Sequence, residues 1–201
     1  SQADAEALRK AMEGFGTDEA ALIKVVANRT SSQRQKIKVA YKTAYGRDLI
    51  EDLKKELHGK FEDAMVALFQ DPIEFDCVSL RNAMKGAGTD EDTLIEIIVS
   101  RPPPILRQII ARYKQMYNKD LEAEVKSETS GTLQKLLISI LQCNRSVNTQ
   151  VNQAQMAAIA KEIFDAGEAK MGTDESVFNK YFVSLSPFEL AAVAQNYHKL
   201  T

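Results

Sequence analysis

The sequence has few of the residues on which many metal and catalytic sites depend. Its 201 residues include only two cysteines, Cys77 and Cys143, and two histidines, His58 and His198. Neither pair has the short spacing of a zinc motif, so a zinc site is not expected. Two distant thiols do not form a disulfide framework, which favours a reducing compartment such as the cytoplasm. We expect both cysteines to be small buried hydrophobic residues.

Features of membrane-spanning, secreted and nucleic-acid-binding chains are also missing. No apolar run reaches the roughly 18 residues that a membrane span needs. The polar start, SQADAE, is not a signal peptide, and because it lacks methionine we expect that N-terminal sequence has been removed. The net charge is −2 and the isoelectric point about 5.8, so no nucleic-acid partner is expected. An anionic surface could bind only if something else supplied positive charge.

Catalytic signatures are absent as well. Serine, cysteine and histidine do not fall into a recognisable nucleophilic arrangement, and no GxxxxGK[ST] phosphate loop occurs. The chain is therefore not predicted to be an enzyme. A hydrophobic content of 44% is normal for a protein with a folded core.

What the chain does contain is an internal repeat. Residues 8–19 read LRKAMEGFGTDE and residues 80–91 read LRNAMKGAGTDE, an offset of 72 residues. The match continues without gaps over about 50 residues, which is strong evidence for two copies of one unit. A third copy is marked by KMGTDE at 170–175, after the polar segment NRSVNTQVNQ, which is typical of a linker. We expect a first repeat over 1–71, a second over 72–143, a linker over 144–153 and the first part of a third repeat over 154–201.

Hydrophobic residues recur at helical spacing within each repeat, and no segment alternates as a strand would. The pattern predicts an all-α fold in which five short helices, of about 8–14 residues each, make one repeat. In the second copy, Pro102, Pro103 and Pro104 stand where the third helix should begin. Proline is tolerated there because the first turn of a helix does not use its N–H groups. The third copy contains only three helices, which should leave an apolar face uncovered.

The repeated glycine turn, Met12 to Gly16 in the first copy, can be interpreted in two ways. As a structural turn, its glycines permit a left-handed helix end and Thr17 caps the next helix. As a cation site, its two glycines leave backbone carbonyls bare, and hard cations such as Ca²⁺ bind such oxygens. Each complete copy also places a carboxylate, Glu56 or Glu128, 40 residues beyond the second glycine. One carboxylate with three carbonyls makes a partial calcium shell.

Such a shell predicts weak calcium binding and a role at membranes. Calcium takes 6–8 oxygens, so waters must complete the shell and the dissociation constant should be on the order of 10⁻⁴–10⁻³ M. A lipid phosphate can replace those waters, and the ion then supplies the positive charge that the chain lacks. Phe15 at the tip of the first turn, and Met171 in the third, could enter the membrane interface. The alternative for Phe15 is packing back onto its own helix.

These segments resemble annexin repeats. The resemblance rests on GFGTDE, GAGTDE and KMGTDE, on ELHG and ETSG downstream, and on LRKAM, QRQKI and YGRDLIEDLKKEL, and it covers essentially the whole chain. It implies annexin-type repeats of five short helices, two complete and a third truncated. It also implies calcium-dependent binding to acidic phospholipids such as phosphatidylserine, in a cytoplasmic protein recruited peripherally to membranes when calcium rises.

The resemblance assigns the calcium ligands position by position. The first site would use the carbonyls of Met12, Gly14 and Gly16 with the Glu56 carboxylate, and the second those of Met84, Gly86 and Gly88 with Glu128. The third resembles the family's variant loop, with the carbonyls of Gly167, Lys170 and Gly172, but the position of its acid lies beyond Thr201. Minor sites would pair Thr17 with Glu19 and Thr89 with Glu91. Glu13 stands where annexins often have lysine, so the first turn should attract lipid phosphate less.

A second hypothesis is a calcium-independent helical scaffold for protein partners. It explains the repeats and the helices. It does not explain why the glycine turn and the distant acid recur together. Membrane binding and possible protein partners are compatible, so the two functions can coexist.

Overall fold

The computed structural model describes all 201 residues, in thirteen α-helices and no strand. The first five are α1 (Gln2–Ala11), α2 (Glu19–Val26), α3 (Ser31–Tyr45), α4 (Leu49–Glu56) and α5 (Gly59–Phe69). The next five are α6 (Pro72–Ala83), α7 (Glu91–Ser100), α8 (Pro103–Tyr117), α9 (Leu121–Glu128) and α10 (Gly131–Leu141). The last three are α11 (Gln153–Ala166), α12 (Glu175–Ser184) and α13 (Pro187–Tyr197). The predicted all-α fold, with two complete sets of five helices and a third truncated set, is confirmed.

The residues form two compact units, 1–75 and 76–201, which divide inside α6. The first unit holds the first set of helices. The second unit holds most of α6 and everything that follows, so it includes the predicted linker segment 144–153. None of the helices combines the length and apolar character that crossing a bilayer requires.

Packing in the first unit places α1 against α2 and α3, while α5 packs on α3 and α4. The apolar stripes of these helices meet in one core that includes Leu8, Leu22, Ile37, Leu53 and Phe69, all fully buried. Each such side chain contributes about 1.5–3 kcal/mol by leaving water. The ends of α1 and α4, which carry the glycine turn and Glu56, are therefore anchored by a continuous core.

Helix starts follow local signals in the sequence. Thr30 and Gln33 form a reciprocal capping box at the start of α3. The third helix of the second set begins at Pro103 with Pro102 at its N-cap, as the proline run predicted. Cys77 and Cys143 are both buried, as expected, and neither is in a disulfide.

The predicted linker segment has no helix before Gln153, where α11 begins, yet part of it is held in place within the second unit. The Ser146 N–H donates to the Ser184 carbonyl at 2.8 Å, at the end of α12. The Arg145 guanidinium donates to the Val99 carbonyl at 2.7 Å and also to the Phe182 carbonyl. Burial lowers the pKa of Arg145. Arg145 thus joins the ends of α7 and α12, where the carbonyl ends of helices favour a cation.

The third set of helices leaves an apolar groove, as expected for three helices of five. Its volume is about 510 Å³, and its lining includes Phe178, Phe182 and Tyr197. In the first unit the corresponding positions are Leu22, Val26 and Tyr41, which are fully buried in a core that also includes residues of α4 and α5.

Candidate functional site

The two glycine turns have the same backbone design. Each is closed by one hydrogen bond, from the Asp18 N–H to the Ala11 carbonyl in the first and from the Asp90 N–H to the Ala83 carbonyl in the second, both 2.9 Å. The first turn needs positive φ at Gly14 (+96°) and at the second glycine, Gly16 (+84°). An L-residue with a side chain rarely adopts this backbone conformation, so the glycines are required by the path of the chain.

The carbonyl oxygens predicted as ligands in the first two turns are free of hydrogen bonds within the protein. No hydrogen bond of the structure ends on the carbonyl of Met12, Gly14 or Gly16, and the same holds for Met84, Gly86 and Gly88. The side chains of Met12 and Met84 are buried, which anchors the start of each turn in the core. Each turn therefore offers three unpartnered oxygens with partial negative charge, which suit a hard cation.

The distant acid reaches each turn through a threonine. Thr17 Oγ1 donates to Glu56 Oε2 at 3.3 Å, across 39 residues. The single hydroxyl proton of Thr89 is shared between Glu128 Oε2 and the Glu128 carbonyl, each 3.1 Å from Oγ1. The structure thus brings together the turn and the acid that the sequence paired. Each glutamate is the last residue of its helix, α4 or α9, and is exposed to solvent.

The helix cap next to each turn belongs to aspartate, so the interpretation that gave it to Thr17 is wrong. Asp18 accepts from the Ala21 N–H at 2.9 Å and caps α2, while Asp90 caps α7 through the Thr93 N–H at 3.1 Å. The Asp90 carboxylate accepts one hydrogen bond from the Thr93 backbone N–H and one from the Thr93 hydroxyl, and these bonds lower its pKa. Because aspartate serves as the cap, the hydroxyl of Thr17 is available to Glu56.

A buried carboxylate one helical turn before Glu56 fixes the position of α4. Arg47 donates two hydrogen bonds of 2.6 Å to Asp52, and the Tyr41 hydroxyl donates a third at 2.9 Å. The hydrogen bond from Arg47, aided by that from Tyr41, lowers the pKa of Asp52 against the opposing effect of burial. Arg9 of α1 lies 4.0 Å from the same carboxylate. The cluster therefore ties α4 to α3 and to the end of α1, where the turn begins.

The second unit has an equivalent cluster around Glu124 of α9. Arg81 donates to Glu124 at 2.8 Å, and Lys119 and Tyr113 also donate to it. Burial alone would raise the pKa of Glu124, but these hydrogen bonds outweigh it and lower the pKa. The pKa of Tyr113 lies well above its usual value, chiefly because the hydroxyl is buried and also because it donates a hydrogen bond to Glu124. Neither cluster was predicted from the sequence, although residues of the same chemical type recur at the 72-residue offset.

The third turn differs from the other two. Its closing bond is present, from the Asp174 N–H to the Ala166 carbonyl at 2.8 Å. However, the Gly167 carbonyl already accepts the Lys170 N–H at 3.2 Å. Glu168 accepts from the Tyr197 hydroxyl at 3.1 Å. Gly172 keeps the positive φ of a turn glycine, +85°. No hydrogen bond joins this turn to a carboxylate at a later helix end.

Two apolar side chains project fully into solvent at the turns. Phe15 is 111% exposed and Met171 is 102% exposed relative to the reference state. The alternative in which Phe15 packs back onto its helix is therefore wrong. The second turn has Ala87 at the tip position.

The residues predicted for the minor sites, Thr17 with Glu19 and Thr89 with Glu91, are not joined by side-chain hydrogen bonds as the turns and their distant acids are. Glu19 and Glu91 are both exposed at helix starts. The Thr17 carbonyl accepts the Glu19 N–H at 3.1 Å. No group of three or more histidine, cysteine, aspartate or glutamate side chains is placed to hold a metal anywhere in the structure.

Sequence comparison decides the family. A model of the annexin family matches residues 3–68 and 75–140. The chain belongs to the annexin family. It is 48% identical to human annexin A7 over 197 residues, which is 98% of this chain and 40% of that protein.

Solved annexin structures agree with the fold. Chicken annexin V is 45% identical and superimposes with a TM-score of 0.83 over 100% of this chain and 63% of its own. A calcium-bound structure of annexin (Sm)1 is 29% identical, with a TM-score of 0.82 over 99% of this chain and 61% of its own. The chain thus spans less than two thirds of the length of these relatives. Annexins as a family are known for calcium-dependent phospholipid binding and are generally binding proteins rather than enzymes.

Proposed function

We propose that this annexin chain binds Ca²⁺ at its first two glycine turns and, through the bound ion, the phosphate groups of acidic phospholipid membranes. The first site consists of the carbonyls of Met12, Gly14 and Gly16 with Glu56. The second consists of those of Met84, Gly86 and Gly88 with Glu128. Calcium, when bound, supplies the positive charge that the acidic chain lacks and leaves coordination positions for lipid oxygens.

The observation that carries this proposal is the repeated contact between turn and acid. In each unit, the threonine that follows the second glycine donates a hydrogen bond to a glutamate 39 residues later, Thr17 to Glu56 and Thr89 to Glu128. A structural turn needs its glycines and its aspartate cap, but it does not need a distant carboxylate. The pairing of bare carbonyls with that carboxylate gives an all-oxygen donor set, which is the chemistry that calcium prefers.

The outer surface of the turns supports contact with a membrane. Phe15 is fully exposed next to carbonyls that have no partner in the protein. An apolar side chain in water gains by entering the lipid interface, provided that nearby charge holds the protein there. The third turn, with Gly167, Lys170, Gly172 and exposed Met171, is proposed as a weaker contact, because one of its carbonyls is already hydrogen-bonded. Thr17 with Glu19 and Thr89 with Glu91 remain candidates for minor sites.

The test is co-sedimentation with phosphatidylserine vesicles, with and without millimolar calcium, followed by a chelator wash. The wild-type chain should pellet only with calcium and should be released by the chelator. Glu56→Gln combined with Glu128→Gln should abolish most of this binding while the helical content stays unchanged, because both glutamates are exposed helix-end residues.

A matched control removes two charges from the same helices at a distance from the turns. Glu51→Gln in α4 with Glu122→Gln in α9 changes the net charge equally, and both side chains are exposed. This pair should bind vesicles as the wild type does. If the Glu56/Glu128 double variant pelleted normally with calcium, the assignment of the two sites would be wrong. Vesicle binding that was the same with and without calcium would favour the scaffold hypothesis. The proposed setting is the cytoplasm, with recruitment to membranes when calcium rises.

A further inference from the structure

In both units a threonine hydroxyl holds the candidate calcium-binding carboxylate. Thr17 makes one such bond, to Glu56 Oε2 at 3.3 Å. The Thr89 hydroxyl shares its one proton between Oε2 and the backbone carbonyl of Glu128, both at 3.1 Å. Each threonine follows the second glycine of its turn directly, so the bond spans from the turn to the end of another helix.

We infer that Thr17 and Thr89 are positioning residues whose hydroxyls order the carboxylates of Glu56 and Glu128 before calcium arrives. This inference rests on the proposed function, because it concerns the same two sites. It differs from a minor-site role for these threonines, in which their own oxygens would serve as ligands beside Glu19 or Glu91.

A glutamate at these positions needs such a partner. Each is the last residue of its helix, where the partial negative charge of the helix end repels a carboxylate. Each is also exposed, so without a partner the side chain would sample many rotamers. Ordering it on binding would then reduce calcium affinity, and an ordering bond formed beforehand removes that cost.

The hydroxyl does not occupy the site that it prepares. A carboxylate has about four lone-pair positions on its two oxygens, and one hydroxyl uses a single one of them. In each pair the threonine contacts Oε2, and Oε1 has no hydrogen-bond partner in the structure. The oxygens therefore retain the capacity to bind a cation while the hydrogen bond persists.

The two units should differ in degree. Thr89 shares its one hydroxyl proton between the carboxylate and the last carbonyl of α9, each at 3.1 Å, whereas Thr17 has one longer bond of 3.3 Å to the carboxylate alone. The shared hydrogen bond links the hydroxyl to the helix end as well as to the side chain, and the oxygen of Thr89 lies closer to its carboxylate than that of Thr17 does. The second carboxylate should therefore be the more strongly ordered one, and loss of its hydroxyl should have the larger effect.

The experiment measures calcium binding by titration calorimetry on the full chain, one site at a time. Thr89→Val is placed in a Glu56→Gln background, and Thr17→Val in a Glu128→Gln background. Valine keeps the shape and removes the donor. We expect calcium binding to weaken about three- to tenfold, as for the release of one ordered side chain, and more for Thr89 than for Thr17. Thr→Ser, which retains the hydroxyl, should restore near wild-type affinity.

A second readout uses the calcium-free protein. Side-chain NMR couplings should show one dominant χ1 rotamer for Glu128 in the wild type and in Thr89→Ser, and an average over rotamers in Thr89→Val. Thr89→Ala replaces the valine variant if valine perturbs the fold, and the same averaging is expected.

The outcomes separate this inference from the proposed function. Unchanged calcium affinity in the valine variants, beside a large loss in Glu56→Gln and Glu128→Gln, would overturn the positioning role alone. Tighter calcium binding without the hydroxyl would also overturn it, since the threonine would then compete with the ion. Unaltered calcium binding in the two glutamine variants would instead contradict the proposed sites.

Discussion

The first and second glycine turns share their donors but differ in what surrounds them. Both have the same closing hydrogen bond, the same bare carbonyls and a glutamate held by threonine. Around this common frame, the first turn has Phe15 at its tip and Glu13 beside it, whereas the second has Ala87 and Lys85. The repeated residues determine whether the turn forms. The residues that differ face solvent, so they determine how each turn meets a surface.

A similar comparison applies to the carboxylate clusters beneath the turns. Asp52 is held by two hydrogen bonds from Arg47 and one from Tyr41, and its side chain is 6% exposed. Glu124 is held by separate cations, Arg81 and Lys119, and its side chain is 16% exposed. Both arrangements hold the helix that ends in the candidate ligand. In the first, the carboxylate is more buried and receives two hydrogen bonds from one guanidinium.

The largest expected effect comes from breaking these clusters. Asp52→Asn removes the charge that Arg47 and Tyr41 face, and should lower the free energy of unfolding by about 2–3 kcal/mol. Glu124→Gln, at a more solvated position, should cost about 1–2 kcal/mol. Urea unfolding followed by circular dichroism measures both. A larger loss for Glu124→Gln would contradict the ranking of the two clusters.

The pH dependence sharpens the same comparison. The pKa of Asp52 is lowered in the folded chain, so its contribution to stability is present above its unfolded value, near 3.9. That contribution is lost as the pH falls through the lower folded value. The difference in unfolding free energy between wild type and Asp52→Asn should therefore be full at pH 7 and should shrink at about pH 3. A difference independent of pH would show that the charge itself contributes little.

The next largest effect tests whether the two turns share one backbone design. Gly16 and Gly88 have φ of +84° and +88°, and an added Cβ would meet no atom within 4 Å at either position. Alanine should therefore cost only the backbone strain, about 1–2 kcal/mol, at both positions. Unfolding free energies of Gly16→Ala and Gly88→Ala should agree closely, with Ala87→Gly as a neighbouring control. A marked inequality would mean that the turns are not equivalent.

Sequence patterns predicted those parts of the molecule that depend on local or repeated features. Helical spacing gave the three sets of helices, the prolines marked the start of α8, and the common 40-residue interval paired Gly16 with Glu56. Contacts that depend on side-chain direction were not predictable. The cap of α2 is one example. Threonine and aspartate both cap helices, and only the fold shows that Asp18 caps α2 while Thr17 donates to Glu56. The docking of Arg145 onto two helix ends is another, since a polar, aperiodic segment gives no sign of its acceptors.

A smaller effect should follow from exchanging the tips of the two turns. Phe15→Ala removes a fully exposed ring, so stability should not change, whereas vesicle binding should weaken about three- to tenfold through loss of apolar contact with the interface. Ala87→Phe should strengthen binding by a comparable factor. Calcium titrations of vesicle pelleting measure both. Equal binding of wild type and Phe15→Ala would show that the first tip does not enter the lipid.

The smallest expected effect concerns the charge beside each tip. Glu13 pairs with Arg9 at 3.0 Å, which offsets part of its repulsion from lipid phosphate, while Lys85 is an exposed cation next to the second turn. Glu13→Gln should therefore strengthen vesicle binding slightly and Lys85→Gln should weaken it, each by about two- to threefold at physiological salt. Both changes should fade as salt is raised, since exposed charges are screened, whereas the effect of Phe15→Ala should not. If the two variants change vesicle binding in opposite directions and both changes vanish in high salt, the two turns share one calcium chemistry and differ in their electrostatic attraction to the membrane. If both variants changed binding in the same direction, the charges would be acting on the turns themselves, and the division between shared donors and divergent surroundings would fail.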